Sequence, residues 1–98
     1  MPPLVSVIIP CYRQAQYLRE AVDSVLAQTY SPVEVIVVND GSDDNTEEVA
    51  KSYGDRIRYV YRDNGGLSAA RNTGLEHAHG EYVVPDRKLY FRRDGDSR

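Results

Sequence analysis

Two segments of the chain are apolar at nearly every position, and between them lies a segment that is apolar on one stripe only. Residues 4–10 read Leu-Val-Ser-Val-Ile-Ile-Pro, and Val35-Ile36-Val37-Val38 forms the centre of a second such run over 33–39. Short β-branched runs without alternation suit strands buried on both faces. Pro10 has no N–H to give to a ladder and marks the end of the first strand. Between the runs, Leu18, Ala21, Val22, Val25 and Leu26 recur at helical spacing and predict an amphipathic helix, which Ser31-Pro32 breaks.

The same alternation continues. Asp40-Gly41-Ser42 is a turn signal. Asp44 or Asn45 is placed to cap a second helix, with Glu47 and Glu48 three residues after each, and Val49, Ala50 and Tyr53 facing the core. A third strand is predicted over 57–61. Asn64-Gly65-Gly66 is a flexible turn, and Ser68 is the expected cap of a third helix running to Ala78. Ala70, Gly74 and Ala78 form a small-residue stripe on that helix, which allows close approach to a sheet. Tyr82-Val83-Val84 is the fourth strand. The order β-α-β-α-β-α-β predicts an α/β fold with a mostly parallel, Rossmann-like sheet. Ligands in such sheets sit beyond the carboxyl ends of the strands. Those ends carry Pro10 to Arg13, Asn39 to Ser42, and Arg62 to Asn64.

Composition narrows the class. The 98 residues are 41% hydrophobic and 28% charged, with net charge −3. That describes one small globular domain and excludes a nucleic-acid binder. No apolar run is long enough to span a membrane. With one cysteine, no secretory signal and no membrane segment, the cytoplasm is the expected compartment. Charge is uneven: 7 Lys+Arg face 12 Asp+Glu through Val84, a net of −5, and 5 face 3 from Pro85 onward, a net of +2.

Three loops carry candidate chemistry. Asp40 stands at the mouth of the second strand, where a carboxylate can accept a hydrogen bond from a ligand; Asp43 and Asp44 read as turn and cap residues. Tyr12 could stack on a base and Arg13 could meet a phosphate, with a solvated loop as the equal alternative. Asn64-Gly65-Gly66 enters a helix whose free N–H groups favour anions, and Arg71 adds a positive charge one turn on. Cys11 reads as a small buried residue, and His77 and His79 as surface residues.

Val5-Ser6-Val7-Ile8-Ile9-Pro10, Val38-Asn39-Asp40-Gly41-Ser42, Asn64-Gly65-Gly66-Leu67-Ser68-Ala69-Ala70-Arg71-Asn72 and Gly80-Glu81-Tyr82, in that order, resemble the family-2 glycosyltransferases of the GT-A fold. The resemblance covers residues 3–84. It implies transfer of a sugar from a nucleotide diphosphate donor, most often a UDP-sugar, with inversion at the anomeric carbon. By similarity, Pro10 and Tyr12 would line the nucleoside pocket, Asp40 would hydrogen-bond the base, and Arg71 would lie near the base and diphosphate. The family next carries a D-x-D-type motif that holds Mg2+ or Mn2+, and a general base much later.

Residues 85–98 depart from that pattern. Asp86 stands near the place of a metal carboxylate but is followed by Arg87 and Lys88, and Asp94-Gly95-Asp96 falls several residues too late. The expectation is a truncated nucleotide-binding front of a glycosyltransferase, inactive alone. The alternative is a nucleotide-binding module without turnover. A dinucleotide-binding oxidoreductase domain is disfavoured, because no G-x-G-x-x-G follows the first strand. A phospho-acceptor receiver domain is disfavoured as well, because its acidic cluster belongs after that strand.

Overall fold

The computed structural model of the chain describes residues 3–27 and 32–85. Four parallel strands form one sheet in the order β3-β2-β1-β4. They are β1 (Val5–Cys11), β2 (Val33–Asp40), β3 (Arg58–Arg62) and β4 (Tyr82–Pro85). Helices α1 (Ala15–Leu26), α2 (Thr46–Lys51) and α3 (Leu67–His77) connect them, with a single 3-10 turn at Gly54–Arg56 before β3. The elements are those the sequence pattern predicts, except that Pro10 does not end β1, which continues to Cys11. β4 runs one residue beyond its expected end, through Pro85, where the charged tail was expected to begin. The remainder of that tail, with Asp86 and Asp94-Gly95-Asp96, lies outside the described residues.

The period-2 alternation of strands sorts the side chains to two faces. Val7, Ile9 and Cys11 of β1 and Val35 and Val37 of β2 meet α1 and α2 in the larger core, together with Leu18, Val22, Ala50 and Tyr53. Ile8, Ile36 and Val38 meet Ala70 of α3 on the other face. α1 buries Leu18, Ala21, Val22 and Val25 as its spacing requires, whereas Leu26, the last residue of the predicted stripe, is exposed. α3 comes close to the sheet at Gly74, where an added Cβ would stand 2.4 Å from Cγ2 of Ile8. The small-residue stripe therefore serves approach, as its pattern implied.

The chain steps from β1 to β2 to β3 in one direction, then crosses back to place β4 on the far side of β1. Right-handed crossovers then put α1 and α2 on one face and α3 on the other. Between β1 and β4 the direction of winding reverses. This is the topological switch point, where sheets of this kind leave a crevice beyond the strand ends.

Candidate nucleotide site at the carboxyl edge of the sheet

Asp40 ends β2 on the α3 face, two residues after Val38 and four after Ile36. Its residue surface is fully covered. One carboxylate oxygen accepts the N–H of Gly65 at 3.0 Å and the other accepts the N–H of Gly66 at 3.0 Å. The Asn64 amide donates to it as well, at 3.3 Å. The guanidinium of Arg62 pairs with it at 3.2 Å. Asp40 and Arg62 are register partners on neighbouring strands, so their side chains leave the sheet on the same face. The donors around Asp40 come from the β3–α3 turn and, in Arg62, from the end of β3. The expected cap of α3 is corrected. Ser68 lies inside α3, and Gly66, at φ +97°, precedes its first residue.

The acidic turn after β2 stitches two other loops together. Asp44 accepts the N–H of Ala15, the first residue of α1, at 3.2 Å, and the N–H of Thr46, the first residue of α2, at 3.1 Å. One carboxylate thus touches the starts of two helices, whereas Asn45, the residue that precedes α2, makes no side-chain cap bond. Asn39 is buried, donates to the Tyr59 hydroxyl at 3.0 Å and accepts the Ser42 N–H at 2.9 Å. Arg13 adopts φ +57°, donates its N–H to Ser42 at 2.9 Å, and pairs with Asp43 at 3.0 Å on the surface. Its guanidinium stacks over the ring of Tyr12, 5.0 Å from the centroid.

The four sequence-predicted residues are therefore placed differently. Pro10 is buried in β1 beside Val38. Tyr12 is half-buried under Arg13 at the β1 exit. Asp40 is internal. Arg71 is half-buried on the flank of α3, where it lines a groove of about 290 Å3 with Ile8, Asn72, Leu75 and Val83. That groove lies over β1 and β4, and neither Asp40 nor Tyr12 lines it. From sequence, Arg62 is read only as a residue at a strand end, and Asn64 as part of the glycine turn that enters α3. Their role depends on the β2–β3 register, which no local pattern encodes.

Cys11 is buried, and loss of solvent pushes its thiol up to about 11, which disfavours the thiolate at neutral pH. At the opposite edge of the sheet, Glu34 accepts from Ser6 at 2.7 Å and from the N–H and ring of His79 at 3.0 and 2.9 Å. Burial pushes this carboxyl up, but the bonds from His79 and Ser6 and the charge of His79 outweigh it and hold it at about 2. His79, exposed as expected, is a structural partner there.

Among the described residues no group of three or more His, Cys, Asp or Glu could hold a metal. The aspartates at and after the end of β2 are each occupied, Asp40 by the β3–α3 turn and Arg62, Asp43 by Arg13 and Asp44 by two helix starts. The described residues do not fit a resident divalent ion. No described helix is long and apolar enough to cross a membrane.

Known proteins are similar to this chain in sequence and in fold. The profile of the family described as Glycosyl transferase family 2 matches residues 6–85. An uncharacterized glycosyltransferase of Rickettsia typhi is 60% identical over 80 residues, which is 82% of this chain and 25% of that protein. Glycosyltransferase GlyA of Streptococcus pneumoniae is 48% identical over 82% of this chain and 12% of its own length. Among solved structures, S. aureus TarS in complex with UDP-GlcNAc superimposes with a TM-score of 0.76 at 32% identity, over 83% of this chain and 25% of that one. The mannosyltransferase PcManGT from Pyrobaculum calidifontis, in complex with GDP-Man and Mn2+, gives 0.72 at 31% identity, over 85% and 26%. The chain spans a quarter or less of the length of the first curated relatives it matches.

Proposed function

The chain belongs to glycosyl transferase family 2, and from that premise we propose that it forms the donor-nucleotide end of an enzyme that moves a sugar from a nucleotide diphosphate, a UDP-sugar first, to an acceptor with inversion. The observation that carries this reading is the switch point between β1 and β4. Tyr12 follows β1 there, and the groove lined by Arg71 opens on the α3 face of the same two strands. In this reading the Tyr12 ring and the Arg71 guanidinium offer stacking and charge to the nucleotide. Pro10 forms the floor beneath, and Asp40 holds the Asn64–Gly66 turn at the rim. Residues 3–84 make up the nucleotide part, with 85–98 outside it. Asp86, immediately after β4, is the carboxylate proposed for Mg2+ or Mn2+. TarS was solved with UDP-GlcNAc and PcManGT with GDP-Man, which supports a nucleotide sugar as donor.

Thermal unfolding in the presence of a nucleotide panel tests the binding half. Ligand at 100 times its Kd adds about 2.7 kcal/mol to the folded state. UDP or GDP is expected to raise the midpoint and NAD to leave it unchanged; a rise with NAD alone overturns the reading. The transfer half is tested with a UDP-sugar panel and Mn2+. These 98 residues alone are expected to give no transfer, and metal-dependent turnover would contradict that.

A further inference from the structure

Arg62 is the best-connected cation among the described residues, and it is not one the nucleotide reading uses. Beyond its ion pair with Asp40, its Nη1 donates to the carbonyl of Ala69 at 3.2 Å and to Oγ1 of Thr73 at 2.8 Å, and its Nε donates to the carbonyl of Asp63 at 2.9 Å. Ala69 and Thr73 are four residues apart and share one stripe of α3. Arg71 stands midway between them, about 200° around the helix from each. A guanidinium that grips the 69/73 stripe fixes the rotation of α3 about its axis, and so fixes the direction in which Arg71 leaves the opposite flank. The distance of α3 from the sheet is set separately, by Gly74 against Ile8. Gly65 leaves room for the grip, since a Cβ there would stand 2.6 Å from Nη2 of Arg62.

We infer that Arg62 is a positioning residue for nucleotide binding: anchored on Asp40, it sets the azimuth of α3 and thereby aims Arg71 at the diphosphate. This inference rests on the proposed role of Arg71. Lysine at position 62 keeps the charge and the pair with Asp40, but a single ammonium does not reproduce a planar fork directed at Asp40, Ala69 and Thr73 together.

The test is a double-mutant cycle read by UDP and uridine affinity in calorimetry, using the 98-residue chain. Arg62→Lys is expected to weaken UDP about tenfold while leaving uridine nearly unchanged, and to have no further effect in an Arg71→Ala background. Thr73→Val, which removes only the distal grip, is expected to move affinity in the same direction with little change in thermal midpoint. A loss of UDP affinity by Arg62→Lys that persists undiminished without Arg71, or that falls equally on uridine, overturns the inference, as does wild-type affinity in both variants. If instead Arg71→Ala alone leaves UDP affinity unchanged, the nucleotide reading of Arg71 fails first, and this inference with it.

Discussion

A single carboxylate, that of Asp40, collects two backbone N–H groups, an amide and a guanidinium while fully shielded from water. Removing it leaves Gly65 and Gly66 without acceptors and Arg62 without its counter-charge. Breaking a buried pair from one side costs about 3–5 kcal/mol; because the Arg62 side chain is 30% exposed, the lower end applies. Asp40→Ala is expected to destabilise the chain by about 3 kcal/mol in urea denaturation, and a loss under about 1 kcal/mol would contradict this account. Cys11 is the opposite case, an ionisable group that the fold silences. With its thiol held at about 11, it is expected to resist aromatic disulfide reagents in the native chain and to react at once in denaturant. Rapid native labelling would show that the β1 end is open.

The secondary-structure elements were legible in the sequence wherever their cause is local. β1 and β2 follow from doubly buried β-branched runs, and α1 follows from the spacing of Leu18, Ala21, Val22 and Val25. The start of α3 was not legible, because the acceptor for Gly66 lies 26 residues away at Asp40 rather than at Ser68. The same distance hid Arg62, whose partner is set by the β2–β3 register. Two predictions belong to α3 and its exit. Gly74→Ala drives a methyl into Ile8 and is expected to cost about 1–3 kcal/mol, despite alanine's better helix propensity; a stabilised variant would mean that α3 sits further from the sheet. Glu34 ties the residues after α3 to β1 and β2. Its carboxyl is lowered in the folded chain from 4.5 to about 2, so its stabilisation is fully present above about pH 4.5 and is lost as pH falls toward 2. Glu34→Gln is expected to flatten the acid limb of the stability curve in that window. An acid limb identical to that of the wild type would contradict this.

For the whole molecule, the α/β class and the parallel sheet could be read from alternation alone, and the reversal at β1 is where the proposed nucleotide site lies. The family match spans motifs of which three, the β1 exit, the β2 turn and the start of α3, gather at one edge, while Gly80-Glu81-Tyr82 lies at the other beside Ser6. The opposite edge, with Ser6, Glu34 and His79, does structural work. The central claim, that a nucleotide diphosphate binds at the switch-point edge, is tested most directly by mapping amide shifts in NMR while UDP is added. The account predicts shifts concentrated at Tyr12, Arg13, Gly41, Ser42, Gly65, Gly66 and Arg71, and their loss in Arg71→Ala. Shifts gathered at Ser6, Glu34 and His79, or none up to about 10 mM UDP, would contradict it.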